Sequence, residues 1–233
     1  MINVSPNNCL IKQKKKFQFS FRNTTKLIFV LFFIAIPKMV VAQVVTTSFT
    51  SSTTFTIPEG VTSLKVECWG GGGKGSDILN AIDVGGGGGG GAYSTSLVCV
   101  VPGDTYNIAI GAGGTGATAN GGDTYFGNAS LVMAKGGLGL TENNITGANG
   151  GSASQSVGQT KYSGGNGGSR TSYTILVSLA YRAGGGGGGA GSTGAGNNAV
   201  GVTAGTAKTD NGGKGGDGID GGLLSLLGGF TGN

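Results

Sequence analysis

Uninterrupted glycine runs constrain this chain more than any other feature. Four glycines occupy residues 70–73, seven occupy residues 85–91 and six occupy residues 184–189. Glycine loses more backbone entropy on ordering than any other residue, so runs of this length make poor helices and poor sheets. Such segments are therefore either flexible linkers or parts of a fold in which neighbouring segments stabilise one another.

Three kinds of chain have a glycine content as high as 53 of 233 residues: collagen, disordered linkers and packed glycine-rich folds. Collagen requires glycine at every third position together with abundant proline, and this chain has four prolines. Compositional disorder is associated with high net charge and few apolar residues. Short alternating apolar segments lie between the glycine runs, and this pattern favours the packed fold.

The alternating segments predict β-strands bounded by turn residues. We expect one apolar strand face from Leu64, Val66 and Cys68, and another from Leu97, Cys99 and Val101. The six predicted strand segments lie near residues 53–57, 64–69, 93–101, 105–110, 124–126 and 130–134. They predict an all-β protein built on a small antiparallel β-sandwich.

The glycine runs begin or end at these predicted strands. Polyglycine II geometry has three residues per turn and leaves every backbone N–H and C=O pointing outward. Without Cβ atoms, several such helices can lie side by side and satisfy these groups on one another. A repeat of one residue and two glycines in residues 163–169 and 211–217 fits the same period. We therefore expect the strands of the sandwich to continue into a bundle of polyglycine II helices.

Composition divides the chain into three parts. Residues 1–42 are predicted to be a signal peptide, residues 43–140 the β-sandwich with glycine-rich loops, and residues 141–233 a polyglycine-II-like region. Residues 173–183 interrupt the last part and predict a strand or a buried loop. An unstructured low-complexity segment is the alternative for residues 141–233.

The first 42 residues contain seven lysines and arginines and no acid, followed by an apolar run and small residues. This pattern predicts a secretory signal peptide cleaved between Ala42 and Gln43. An uncleaved anchor is the alternative, although residues 27–42 fall short of the roughly 20 residues that a membrane span needs. Without the leader the chain is slightly acidic. We therefore expect a secreted or cell-surface protein with no transmembrane span after cleavage and no nucleic-acid partner.

Export affects the interpretation of the cysteines that follow the leader, Cys68 and Cys99. Both fall on predicted apolar strand faces, and an oxidising compartment permits a disulfide between them. Two buried thiols are the alternative, since cysteine is often buried without being bridged.

No catalytic chemistry is apparent in the sequence. The chain has no histidine, so no Ser–His or Cys–His pair is available. Residues 111–116 match G-x-G-x-x-G, but no helical pattern follows them as a dinucleotide site requires. Residues 215–220 resemble one copy of a calcium-binding nonapeptide that functions only in stacked arrays. We therefore expect no enzyme activity, no catalytic residue, no cofactor and no metal.

Residues 55–73, residues 85–93 and residues 101–114 together resemble the glycine-rich domain of bacterial and phage proteins, over about residues 50–140. This family includes tail-fibre tip adhesins, in which a polyglycine II bundle presents loops that bind the host surface. A similar pattern occurs in the extracellular glycine-rich region of anaplastic-lymphoma-kinase-type receptors. The resemblance implies a binding or structural module, although a signal peptide is foreign to phage tail proteins.

These observations predict a secreted, non-enzymatic cell-surface adhesin or binding module whose partner is a cell-surface glycan or protein, or a second copy of itself. The alternative is an extracellular scaffold without a specific receptor. Glycine segments offer few distinctive side chains, so specificity is expected from the interruptions at residues 76–84, 141–156 and 223–227. The candidate contact residues are Ile78, Leu79, Ile82, Leu223, Leu224, Leu226 and Leu227. Packing of these side chains against the bundle or another subunit is the alternative.

Overall fold

The computed structural model describes residues 44–79, 84–175, 178–200 and 224–229, and within residues 172–182 and 224–229 it describes the backbone alone. The predicted cleavage site at Ala42 and Gln43 lies outside this part of the chain, as do Ile82, Leu223 and the repeat at residues 211–217. Residues 43–232 form one compact unit. Over the described residues this unit consists of strands, turns and irregular segments without a helix.

Eleven strands are described. In chain order they are β1 (Val44–Phe49), β2 (Thr53–Thr56), β3 (Ser63–Trp69), β4 (Tyr93–Cys99), β5 (Thr105–Ala109), β6 (Thr124–Phe126), β7 (Val132–Ala134), β8 (Thr160–Tyr162), β9 (Thr171–Ile175), β10 (Ser178–Arg182) and β11 (Leu224–Gly229). Every pairing between them is antiparallel.

The strands form three sheets. A five-stranded sheet has the order β1-β11-β3-β4-β8, a four-stranded sheet has the order β2-β5-β6-β7, and β9 and β10 form a separate hairpin. Strands β3 and β4 have the longest register, from Ser63 opposite Cys99 to Trp69 opposite Tyr93. Strands from both sides of residue 140 thus share one sheet, because β8 pairs with β4 and β11 pairs with β3.

The two larger sheets enclose a common hydrophobic core. Leu64, Val66 and Cys68 of β3 are buried there, as the alternation in β3 predicted, and Val98 of β4 lies beside them. The four-stranded sheet contributes Ile108, Phe126, Val132 and Ala134. The all-β class and the antiparallel sheets predicted from the sequence are confirmed.

The predicted apolar face of β4 is wrong. Leu97 and Val101 are each 60% exposed, whereas Val98 and Val100 are buried in the core. The register explains this, since Leu64 lies opposite Val98 and residues directly opposite share a face. The end of β4 is apolar on both faces, so alternation alone does not distinguish the buried face.

The predicted disulfide is also wrong, since Cys68 and Cys99 are both thiols. Cys68 lies opposite Ser94, and Cys99 lies opposite Ser63, five residues further along the strand pair. At about 3.4 Å per residue this separation is roughly 17 Å, far beyond the ~7 Å limit for Cα atoms of a disulfide. Cys68 is buried in the core and Cys99 is exposed.

Three strands lie outside the six predicted segments and join the five-stranded sheet: β1, β8 and β11. Leu224, Leu226 and Leu227 belong to β11 rather than to a loop. The reason is that β11 lies between two partners, with Thr46 opposite Leu227 on one side and Cys68 opposite Leu224 on the other.

Candidate functional site

Residues 85–92 form the central segment of the glycine-rich part, and five other segments surround it. Its N–H groups donate to carbonyls in residues 135–144 and 165–168, and its carbonyls accept from residues 70–76, 148–151 and 184–190. These hydrogen bonds are 2.8 to 3.0 Å long. The backbone of the longest glycine run is therefore satisfied by other glycine-rich segments rather than by side chains.

The partners of this central segment repeat every three residues. The carbonyls of residues 85, 88 and 91 accept from residues 184, 187 and 190, and those of residues 86, 89 and 92 accept from residues 76, 73 and 70. Those of residues 87 and 90 accept from residues 148 and 151. Successive residues thus face three different neighbours, unlike a strand, in which they alternate between two sides.

The segments approach one another too closely for side chains. A Cβ atom added at any residue from 86 to 91 would lie closer than 3.0 Å to a backbone carbonyl oxygen of another segment. For Gly87 and Gly90 that segment contains Gly185 and Gly188. This packing explains why the run contains only glycine.

The glycine-rich part has two ends. At one end the segments join the sheets, where Gly70 donates to the carbonyl of Ala92 and Ala92 donates to the carbonyl of Lys135. At the other end, which we call the far end, the N–H of Gly184 donates to the carbonyl of Gly85. Residues 76–79, residues 115–118, residues 141–146 and the β9–β10 hairpin leave the glycine segments at the far end.

Specific hydrogen bonds tie these far-end segments together. Ser76 Oγ donates to the carbonyl of Thr141 at 2.8 Å and accepts from the N–H of Asn144 at 2.8 Å. The N–H of Asn143 donates to the carbonyl of Asp77 at 2.8 Å. The hairpin begins beside them, because the N–H of Arg170 donates to the carbonyl of Ile145 at 2.8 Å. The far end is a connected surface rather than a set of independent loops.

Among the side chains that the structure describes on this surface, two large apolar ones are exposed. Leu79 is 71% exposed and Ile145 is 42% exposed, whereas Ile78 is half-buried. The structure therefore brings together residues 76–79 and 141–146, the first parts of two predicted loops, whereas residues 148–151 of the second loop pack beside the central glycine segment. The third predicted loop, around Leu224, Leu226 and Leu227, lies in the five-stranded sheet. No binding role was predicted for the 115–118 turn or the β9–β10 hairpin, and in the sequence both look like ordinary connections.

A buried polar cluster lies at the sheet end. Glu67 is 2% exposed and accepts from the hydroxyl of Tyr93, and Lys65 Nζ lies 3.1 Å from its Oε1. Burial and then the hydrogen bond to Glu67 raise the pKa of Tyr93 above its ordinary value. Tyr93 also stacks on Tyr162 and contacts Trp69, whose indole nitrogen has no hydrogen-bond partner among the described residues. Glu67, Tyr93 and Trp69 are buried, whereas the side chain of Lys65 is 51% exposed and Tyr162 is half-buried. The cluster is structural in character.

The far end carries polar and charged groups without a metal-binding arrangement. Lys74 forms an ion pair with Asp77, and Glu142 is exposed nearby. Within residues 44–79, 84–175, 178–200 and 224–229, no three histidine, cysteine or acidic side chains are grouped so that they could hold a metal ion. The same residues include no helix with the length and apolarity needed to cross a membrane.

The fold and the hydrogen-bonded glycine segments define a class of all-β, glycine-rich proteins. The chain belongs to the glycine-rich domain family, whose profile matches residues 46–233. The match extends beyond the region of resemblance near residues 50–140 and includes the β9–β10 hairpin and β11. A comparison with curated proteins gives no match.

Proposed function

We propose that this chain is a secreted, non-enzymatic binding module that contacts a cell surface through its far end. The observation that carries the proposal is the convergence there of the hydrogen-bonded segments at residues 76–79 and 141–146, with Leu79 and Ile145 exposed. The hydrogen bonds hold both apolar side chains on a surface that is ordered before a partner binds, and this order lowers the entropic cost of binding. Secretion rests on the leader pattern of residues 1–42.

We also propose that the glycine segments are polyglycine II helices. The three-residue period of their hydrogen-bond partners supports this geometry, because polyglycine II has three residues per turn. So does the absence of room for Cβ atoms between segments. In the proposed function these helices form a rigid support that holds the far-end loops away from the sheets.

The test compares two double variants of the fluorescently labelled mature chain, residues 43–233, on intact bacterial cells. Leu79→Ser with Ile145→Ser removes the exposed apolar groups of the far end. Leu97→Ser with Val101→Ser removes similarly exposed groups at the end of β4 and is the matched control. We expect the far-end variant to lose about ten-fold or more in cell binding, with unchanged melting temperature, and the control to bind like the parent chain.

Two results would contradict the proposal. Equal loss in both variants would indicate non-specific apolar adhesion. Absence of cell binding by the parent chain would favour the extracellular scaffold without a receptor.

A further inference from the structure

A cavity of about 520 Å³ opens at the far end. Three chain segments line it, and its walls include Lys74, Asp77, Ala117, Leu140, Glu142 and Asn143. Sites for small molecules commonly have volumes of about 300 to 1,000 Å³. The cavity is therefore large enough for one or two rings of a small ligand.

Backbone hydrogen bonds hold the three walls together. The N–H of Lys74 donates to the carbonyl of Ala119 at 2.8 Å, and the N–H of Leu140 donates to the carbonyl of Lys74 at 2.9 Å. The N–H of Asn143 donates to Asp77, and the side chain of Asn143 accepts from the N–H of Leu79 at 3.3 Å. A cavity fixed in this way requires little ordering when it binds a ligand, which favours affinity.

The chemistry of the walls fits a hydroxylated ligand. The ammonium of Lys74 is compensated by Asp77, so the carboxylate of Glu142 leaves the cavity negative. Anionic ligands are therefore disfavoured. Carboxylate, amide and hydroxyl groups can bind sugar hydroxyls. Ala117 is exposed and offers apolar surface to ring carbons, whereas Leu140, only 7% exposed, adds little. Among the residues that the structure describes, the cavity lining contains no aromatic side chain, so weak affinity is expected.

We propose that this cavity binds one neutral saccharide unit of a cell-surface glycan, an inference that rests on the proposed role of the far end in surface binding. Asn143 and Glu142 bind the sugar hydroxyls, and Ala117 contacts the ring. The cavity is then the polar part of the far-end recognition surface, which also includes the exposed Leu79 and Ile145.

Calorimetry of the mature chain with glucose, galactose, N-acetylglucosamine and glucuronic acid tests this inference. We expect at least one neutral sugar to bind with a Kd of about 1 mM and glucuronic acid to bind about ten-fold more weakly. Asn143→Gly removes the amide while tolerating the positive φ of 58° at this residue. This variant and Glu142→Gln should each weaken binding by about five-fold or more.

Glu59→Gln is the matched control, because Glu59 is an exposed acid in the turn between β2 and β3, remote from the cavity lining. It should bind sugar like the parent chain. Ala117→Phe, which places a ring in the cavity and narrows it, should strongly weaken binding and provides a second probe should Asn143→Gly not fold. Failure of all three neutral sugars to bind, or binding unchanged in Ala117→Phe, overturns the saccharide inference.

The two proposals fail in distinguishable ways. Loss of cell binding in the Leu79 and Ile145 double variant, together with no sugar binding, would retain the surface-binding role and reject the saccharide. Sugar binding at the cavity without any cell binding would reject the surface role alone.

Discussion

Gly90 and Gly116 differ in what surrounds their backbones. A Cβ atom at Gly90 would lie closer than 3.0 Å to the carbonyl oxygen of Gly188, whereas one at Gly116 would meet nothing within 4 Å. Gly90→Ala should therefore force two segments apart and lower the free energy of unfolding by about 3 kcal/mol. Gly116→Ala is the matched control and should change it by less than about 0.5 kcal/mol.

Urea denaturation of the two alanine variants measures both effects. Similar stability of Gly90→Ala and Gly116→Ala would show that the glycine segments are loosely packed in solution. That result would remove the structural basis for a rigid support.

The two cysteines of residues 43–233 differ in environment. Burial raises the pKa of the Cys68 thiol to about 12, with the nearby charge of Glu67 as a second cause, and Cys99 is exposed. An aromatic disulfide reagent should therefore react rapidly with one thiol of the folded chain and with two thiols after unfolding. Cys99→Ser should remove the fast reaction. Fast reaction of the Cys99→Ser variant would contradict the buried position of Cys68.

The pattern of apolar residues predicted the buried face of β3 but not the buried face of β4. Leu64, Val66 and Cys68 alternate with polar residues, so their shared face was evident. In β4, Leu97 and Val98 are both apolar, and the buried face contains Ser94 and Ser96 instead of a continuous apolar row. The hydroxyl of Ser96 accepts from the N–H of Gln159 at 3.0 Å, a partner that local sequence cannot reveal.

At the scale of elements, β11 is the strand whose position the sequence least predicted. It lies between β1 and β3 and pairs with six residues of β1 and two of β3. A chain that ends at residue 223 should lose these pairings, and its free energy of unfolding should fall by about 2 kcal/mol or more. For a domain of this size the melting temperature should fall by roughly 4 to 8 °C.

A chain that ends at Gly229 keeps β11 and is the matched control for the truncation. Calorimetric melting of both chains measures the difference between them. Equal melting temperatures would show that β11 does not stabilise the five-stranded sheet in solution.

The order of the glycine segments could not be predicted either. The length of each run is evident in the sequence, but which run lies beside which depends on side chains that glycine lacks. Residues 85–91 and 184–189 carry no side-chain information that would make them neighbours. Their pairing follows instead from where the sheets and the far-end segments place their ends, such as the contact of Arg170 with Ile145. The candidate site was accordingly predicted as separate loops and not as one surface.

At the scale of the whole molecule, the buried thiol predicts loss of stability at alkaline pH. The pKa of Cys68 is about 12 in the fold against an ordinary value of 9.0. Between these values the unfolded chain releases the proton that the folded chain retains, so stability is complete below pH 9 and falls as pH rises toward 12. The raised pKa of Tyr93 acts in the same direction.

Chemical denaturation at several pH values from 8 to 11 measures this decline, using Cys68→Ala as the comparison. For one proton, the free energy of unfolding falls by up to about 1.4 kcal/mol per pH unit. The Cys68→Ala variant is less stable at every pH because it loses core volume. Above pH 9, its free energy of unfolding should fall less steeply than that of the parent chain, by roughly the same 1.4 kcal/mol per pH unit. Parallel slopes in the two chains would show that the Cys68 thiol does not control alkaline unfolding.

The central position of residues 85–92 also determines when the molecule can finish folding. Some hydrogen-bond partners of this segment precede it in the chain, at residues 70–76. Others follow it, and the last of them is residue 190. As the chain emerges from a ribosome or a secretion channel, this segment cannot complete its contacts until about a hundred further residues have followed. Folding through such distant contacts is slow, with times of milliseconds to seconds for β proteins. In the secretion proposed above, the chain would therefore cross the membrane before its glycine segments close around their centre, in a form thin enough to pass through a narrow pore.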